Sequence, residues 1–234
     1  MALPKIATPT YELTVPSSKD TLKYRPFLVK EEKILLLANE ADDEKEMMSA
    51  IKQIINNCTF EGIDVDGLAL FDLEYLFLKI RSKSVGEVVK LKLPCDDDEE
   101  TLVDVTVNLD DVEVDFNKDH TNQLQLTDEI CLIMDYPQYE FLSTPTDGSE
   151  TKFIFKLIKR CISSIVEGDT VIERADFTDK ELDEFLESLS SQHFQKLQGF
   201  FETMPRIRHE VKFKNPNTKK QTKITLEGMQ SFFE

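Results

Sequence analysis

The chain has 234 residues, and its 45 acidic against 28 basic side chains give a formal net charge of −17. A protein that binds nucleic acid by neutralising phosphates needs a surface dominated by Lys and Arg. The charge therefore argues against that class, and it favours a soluble protein with basic partners. Hydrophobic residues make up 40% of the chain, with 16 Phe and no Trp, which is enough for a Phe- and Leu-rich core.

Targeting signals and disulfide patterns are not evident. The longest apolar run, Ile34 to Ala38, is far shorter than the ~20 residues of a membrane-spanning helix. The N-terminus lacks the apolar segment of a signal peptide, so we expect a cytoplasmic protein. The cysteines lie at least 30 residues apart without a Cys-x-x-Cys motif, which predicts reduced thiols rather than disulfides. They are Cys58, Cys95, Cys131 and Cys161.

The first half of the chain predicts a hairpin, three helices and a second hairpin. Alternating residues 11–15 and 21–25 flank a turn that contains Pro16. A helix follows over Lys30–Glu40, and Asp42 or Asp43 can cap the next one. That second helix has apolar residues at the 3.6-residue period: Met47, Ile51, Ile54, Ile55 and Cys58.

The third helix starts near Phe71 and ends in the basic stretch Arg81–Ser84, just before Gly86. After it, a strand over Val88–Leu93 is expected to pair with Thr101–Leu109 across an acidic loop. Residues 110–126 are polar and weakly periodic. We therefore predict two domains, 1–115 and 116–234.

The second half predicts mostly helices. Thr127 caps a helix that ends before Pro137, and residues 144–149 form a loop. The strongest apolar stripe predicts a helix closed by Gly168: Ile154, Leu157, Ile158, Cys161, Ile162, Ile165 and Val166.

The last part of the chain predicts two further helices, a hairpin and a short tail helix. Thr178 with Glu181 forms a capping box for the first helix. The second carries Phe194, Leu197, Phe200 and Phe201 and stops at Pro205. A hairpin over Ile207–Phe213 and Thr222–Leu226 precedes a tail with Met229, Phe232 and Phe233. The predicted fold class is α+β, mostly helical with small antiparallel hairpins.

Two pairs of segments suggest an internal duplication of a helix-plus-hairpin unit. Residues 51–58 (IKQIINNC) share an apolar pattern with 158–165 (IKRCISSI), and 87–94 (EVVKLKLP) resembles 209–216 (HEVKFKNP). Any two amphipathic helices followed by hairpins look alike, but two matches in the same order favour duplication. Each unit would be a helix that covers one face of a hairpin, because a lone hairpin is marginal in water.

Catalytic and metal-binding patterns are weak. The hairpin turns occupy the places where zinc ribbons have Cys pairs, yet the first contains only Cys95 and the second none, and zinc needs four ligands. The acidic run 96–100 lacks the spacing of a calcium loop. The three histidines lie in separate polar contexts, and no Gly-rich phosphate loop is present. We expect no enzymatic activity, metal or cofactor.

Protein–protein contacts are the more promising candidates. Lys79, Arg81 and Lys83 are basic residues near a helix C-terminus, where cations also compensate the helix dipole. Phe232 and Phe233 near the chain end are candidates for an exposed apolar contact. These five residues form the predicted partner-binding set.

Four segments resemble the baseplate hub subunit and hub assembly proteins of T-even-like contractile-tailed bacteriophages. They are 71–87 (FDLEYLFLKIRSKSVGE), the most specific, and Leu3-Pro-Lys5, 24–33 (YRPFLVKEEK) and 224–233 (ITLEGMQSFF). Some relatives have Cys pairs in the hairpin turns; this chain does not.

The resemblance implies a non-enzymatic role in building the central hub of the tail baseplate, with other hub proteins as partners. An acidic, Phe-rich chain suits an assembly factor that acts in the host cytoplasm more than a permanent virion subunit. A second hypothesis is an acidic nucleic-acid mimic that binds a host protein.

Overall fold

The computed structural model describes residues 6–41, 43–139 and 150–233. In these residues six α-helices and eleven strands form small antiparallel sheets, so the α+β fold class is confirmed. The chain divides into two compact units: Met1–Asp115 together with Arg206–Glu234, and Phe116–Pro205. No helix of the described ranges is long and apolar enough to span a bilayer.

The division differs from the predicted domains 1–115 and 116–234. Residues 206–234 belong to the first unit because the C-terminal hairpin pairs with a strand before the boundary. That strand is β5 (Glu113–Asp115), and Ile207 of β10 (Arg206–Lys214) lies opposite its Val114. The second unit is therefore an insertion between two paired strands.

The first unit contains three helices and three sheets. The helices are α1 (Val29–Ala41), α2 (Glu44–Cys58) and α3 (Leu70–Val85). The two-stranded sheets are β1–β2 (Tyr11–Thr14, Thr21–Tyr24) and β3–β4 (Val88–Cys95, Asp98–Asn108). The third sheet has the order β11–β10–β5, with β11 at Gln221–Glu227.

Helix α3 is the core element of this unit. Its side chains are buried on most of its circumference, including Leu73, Leu76, Leu78 and Ile80. A helix that is apolar on most of its faces is one that other elements surround. The predicted helices over 30–40 and 47–58 and both hairpins are present, and Asp43 caps α2 by accepting a hydrogen bond from the Lys45 amide. Asp42 lies outside the described residues.

A buried ion pair joins the first hairpin to α1 and α2. The two terminal nitrogens of Arg25 donate to the Glu31 carboxylate at 2.9 and 3.2 Å. Arg25 also donates to the Asn57 carbonyl, and its amide donates to the Cys58 carbonyl. Burial alone would raise the pKa of Glu31, but the bonds from Arg25 and the Leu28 amide outweigh it and the pKa is lowered. Both partners are therefore charged.

The second unit is a four-stranded sheet covered by helices. The strand order is β6–β7–β8–β9, with bounds Gln123–Gln125, Ile130–Met134, Ile162–Glu167 and Thr170–Glu173. The helices are α4 (Glu150–Cys161), α5 (Asp179–Glu187) and α6 (Ser191–Thr203). The Thr178–Glu181 capping box of α5 and the helix that ends before Pro205 are confirmed.

One predicted helix of this unit is wrong and another is shorter than predicted. The wrong one is the helix capped by Thr127. Residues 130–134 form strand β7 instead. Its buried residues Leu132 and Met134 alternate with a period of two. Five apolar residues are too few to separate that period from a helical one.

The helix predicted on the apolar stripe from Ile154 to Val166 is confirmed as far as Cys161, where the chain continues directly as strand β8. β-Branched Ile162, Ile165 and Val166 suit a strand. Gly168, with φ +57, forms the tight turn to β9 and does not cap a helix. The predicted loop 144–149 lies outside the described residues.

The first pair of segments in the proposed duplication does not share the same secondary structure. Residues 51–58 lie wholly in α2, whereas 158–165 cross from α4 into β8. Residues 87–94 and 209–216 do belong to hairpins of the first unit. The predicted second helix-plus-hairpin copy is therefore divided between the two units.

The C-terminal turn of the first unit is attached to α3 by a carboxylate. Glu74 accepts a hydrogen bond from the Met229 amide at 3.1 Å. Burial raises the pKa of Glu74 to about 7, because the hydrogen bond offsets only part of the desolvation of the charged form. Glu74 therefore keeps its proton in the folded chain at pH values where it is ionised in the unfolded chain.

Glu74→Gln should make the folded state less sensitive to rising pH. A carboxyl group whose pKa is higher in the folded than in the unfolded state stabilises the fold below its unfolded-state pKa. This stabilisation is lost as the pH rises through the folded-state pKa. We expect the variant's free energy of unfolding, relative to wild type, to increase by roughly 1–3 kcal/mol between pH 5 and pH 8. Urea denaturation at both pH values measures it. A constant difference would contradict this assignment.

Candidate partner-binding surface

Three aromatic rings form a row along one side of α3. The Phe77 ring lies between Phe27 and Phe233, at centroid distances of 5.9 and 6.1 Å. Phe77 is buried, Phe27 is half-buried, and Phe233 is 40% exposed. We call Phe27, Phe77, Arg81 and Phe233 the aromatic row. Such a surface, buried at one side and exposed at the other, is typical of a protein contact.

The spacing of α3 residues fixes this arrangement. Phe77, Arg81 and Ser84 lie four and three residues apart, so they share one helix face. The Ser84 hydroxyl accepts a hydrogen bond from the Phe27 amide at 2.8 Å and donates to the Ile80 carbonyl at 2.6 Å. The backbone that leads into α1 is thereby held against the C-terminal half of α3.

Arg81 is a partly buried cation that lies against an aromatic ring. Its guanidinium lies 5.1 Å from the centroid of the Phe233 ring, a cation–π distance. Burial lowers the pKa of Arg81. Across the described ranges it forms no ion pair. A carboxylate from a partner would form a charge-assisted bond there.

Lys79, another member of the predicted set, has an internal role. It is buried, and its ammonium donates to the carbonyls of Leu109 and Asp110 at 3.3 and 2.7 Å. It also lies 3.6 Å from the Glu113 carboxylate. Burial lowers the pKa of Lys79, and the nearby carboxylates oppose that shift. Lys79 thus ties α3 to the segment that leads into β5.

Lys83 is also occupied inside the protein. Its ammonium lies 2.6 Å from Asp110 and 2.8 Å from Glu87. Hydrogen bonds to these two carboxylates raise the pKa of Lys83. The neighbouring Ser82 hydroxyl donates to Asp110 as well. The predicted basic stretch is therefore largely neutralised, and among the described residues Arg81 is its one cation without a carboxylate partner.

The two terminal phenylalanines have different positions. Phe232 is 1% exposed and belongs to the core, as does Met229. Its predicted exposure is wrong, because the last residues form a 3₁₀ turn that directs this side chain inward. Phe233 remains half-exposed beside Arg81. Leu28 and Val85, which sequence reasoning missed, add exposed apolar surface at the ends of α1 and α3.

Side-chain hydrogen bonds join the turns of the β3–β4 and β10–β11 hairpins. Asp97 accepts from Asn215 at 3.0 Å and from the Thr218 hydroxyl at 2.6 Å. Cys95 is buried next to this turn. Within the described residues, no three His, Cys, Asp or Glu side chains are grouped to hold a metal ion.

Catalytic groups are not brought together either in the part of the chain that the structure describes. Half-buried His120 stacks on Tyr136, and its ring centroid lies 5.1 Å from that of Phe200. Burial lowers the pKa of His120. Burial raises the pKa of Cys58 to about 11 and that of Cys161 to about 12. A thiol needs a lowered pKa to act as a nucleophile. A cavity of about 490 Å³ is lined by paired charges, among them Arg208 and Glu227.

A comparison with known families identifies the chain. A family model described as T4 bacteriophage base plate protein matches residues 8–234, nearly the whole length. The chain belongs to this family. No curated protein and no solved structure shows a significant match.

Membership gives the protein its place in phage biology. Its role in the baseplate is structural or in assembly, and other baseplate proteins are its partners. The family is one of structural proteins, and membership implies a component of the virion tail. Three of the segments on which the sequence-based family resemblance rests meet in the aromatic row through Phe27, Phe77 and Phe233. They are 24–33, 71–87 and 224–233.

Lys79→Met and Arg81→Met should have different consequences for stability. Removing the buried ammonium takes one donor from the Asp110 carbonyl and leaves the Leu109 carbonyl with the Val112 amide. We therefore expect Lys79→Met to lower the free energy of unfolding by about 2–3 kcal/mol. Arg81→Met should change it by less than about 1 kcal/mol, since no internal acceptor loses a partner. Urea denaturation compares the two. Equal losses of unfolding free energy would contradict the assignment of Lys79 to an internal role and of Arg81 to a partner contact.

Proposed function

We propose that the protein is a non-enzymatic assembly factor for the central baseplate hub and that it binds another hub protein through the aromatic row. The observation that carries the proposal is Arg81, a partly buried cation that stacks on exposed Phe233 and lacks a carboxylate partner among the described residues. Aromatic and Arg side chains contribute most of the binding energy in many interfaces.

The side chains of this surface indicate which kind of partner segment would bind it. Phe233 offers apolar area beside the charge of Arg81, and Leu28 and Val85 are exposed apolar residues at the ends of α1 and α3. A segment with an apolar side chain and a nearby Asp or Glu would cover the rings and pair with Arg81. The high net negative charge of the rest of the chain would orient basic regions of the same partner toward the protein.

A permanent hub subunit is the alternative within the same class. It would use the same surface, and it fits the tail location that family membership implies. The nucleic-acid mimic receives less support. Several acidic side chains serve internal ion pairs, such as Asp110 with Lys83 and Glu227 with Arg206. Acidic groups in a mimic must instead be available to the host protein.

Co-purification from infected cells tests the surface. Tagged wild-type protein is expected to retain hub proteins. The variants Phe233→Ser and Arg81→Met should each recover at least about tenfold less hub protein, which corresponds to about 1.4 kcal/mol of binding free energy. Val171→Ser, at an exposed apolar position of strand β9, is the matched control and should bind as wild type.

Two results would contradict the proposal. Equal recovery of hub proteins by Phe233→Ser and Val171→Ser would exclude the aromatic row as the contact. Quantitative mass spectrometry of purified virions distinguishes the roles: an assembly factor is strongly depleted relative to hub proteins, whereas a stoichiometric amount would identify a permanent subunit.

A further inference from the structure

Helix α1 has one buried side and, opposite to it, an exposed side with apolar residues. Its inner side is buried at Glu31 and Ala38, next to the ion pair with Arg25. Its outer side carries Val29, Leu36 and Leu37, which are 81%, 60% and 55% exposed. A helix at the surface of a protein normally presents polar residues to water. The outer side therefore requires a separate explanation.

The outer residues form one continuous stripe. At about 100° per residue, Val29, Lys33, Leu36, Leu37 and Glu40 fall in a single arc about 100° wide. The intervals of four, three and four residues from Val29 to Glu40 are the spacing of a helix–helix seam. We call these five residues the α1 stripe.

The two charges of the α1 stripe are not used inside the protein. Lys33 and Glu40 are exposed and form no ion pair or hydrogen bond with any described residue. The neighbouring Lys30, in contrast, lies 3.2 Å from Glu31. A cation and an anion thus lie on either side of the Leu36–Leu37 pair, without partners among the described residues.

We propose that the α1 stripe binds the α1 stripe of a second copy of this chain, with the two helices antiparallel. A twofold axis that passes between Leu36 and Leu37 places Lys33 of each copy opposite Glu40 of the other. The leucines then pack at the centre between two ion pairs. Such a self-complementary surface is what a twofold interface requires.

The pattern favours a second copy over an unrelated helix. In a parallel pair, Lys33 would face Lys33 and Glu40 would face Glu40, and both contacts would repel. Only the antiparallel twofold arrangement pairs both charges with the same sequence. One helix pair buries little area, so the dimer belongs with small, weak interfaces. The argument uses α1 alone and does not rest on the proposed hub contact.

Sedimentation equilibrium of the full chain at roughly 5–200 µM, a range suited to a weak dimer, tests the proposal. Wild type is expected to dimerise with concentration. Leu36→Asp should be monomeric throughout, whereas Leu102→Asp, at an exposed apolar position of β4, should dimerise as wild type. Circular dichroism confirms that each variant is folded.

Charge exchange makes the test specific. Lys33→Glu alone and Glu40→Lys alone should each weaken the dimer at least about tenfold, or about 1.4 kcal/mol, because two like-charge contacts form. An equimolar mixture of the two variants should dimerise as wild type, because in the mixed dimer each charge again faces a charge of opposite sign. The proposal would be overturned if the wild type were monomeric, or if the mixture dimerised no more tightly than either single variant.

Discussion

The fold of the first unit depends on the buried pair between Arg25 and Glu31. Its carboxylate accepts two bonds from the guanidinium and one from the Leu28 amide at the start of α1. The guanidinium also reaches the last turn of α2 through the Asn57 carbonyl. Two charges that are removed from water are tolerated only when both are paired and bonded. The pair therefore fixes one relative position for the hairpin, α1 and α2.

The position of the hairpin also sets the position of Phe27 in the aromatic row. Phe27 lies two residues after Arg25, and its amide binds Ser84 while its ring contacts Phe77. The C-terminal segment reaches the same side of α3, with Phe232 buried and Phe233 beside Arg81. The segments 24–33, 71–87 and 224–233 thus build α3 and the surface around it.

Much of the first unit could be predicted because its signals are local. The hairpin turns, the Asp43 cap and the long apolar period of α2 are readable from neighbouring residues. The second unit is harder to predict. Ile130–Met134 and Ile162–Glu167 become strands by pairing with each other across about 30 residues of intervening chain. That tertiary choice overrides short apolar runs that suit either structure.

The candidate surface was predictable in part for the same reason. The sequence indicates that cations and aromatic residues are concentrated at the end of α3 and at the chain terminus. It does not reveal that Asp110 neutralises Lys83, or that the Leu109 and Asp110 carbonyls hold Lys79. Those partners come from a segment about 30 residues away. Burial of Phe232 and exposure of Phe233 likewise depend on the final turn.

A double-mutant cycle on the buried pair is the most direct test of this account. Arg25→Met and Glu31→Leu should each lower the free energy of unfolding by about 3–5 kcal/mol, because each leaves one buried charge without its partner. The double variant should lose much less than the sum, since neither charge remains. Losses that simply add, measured by urea denaturation, would show that the pair does not hold the first unit together.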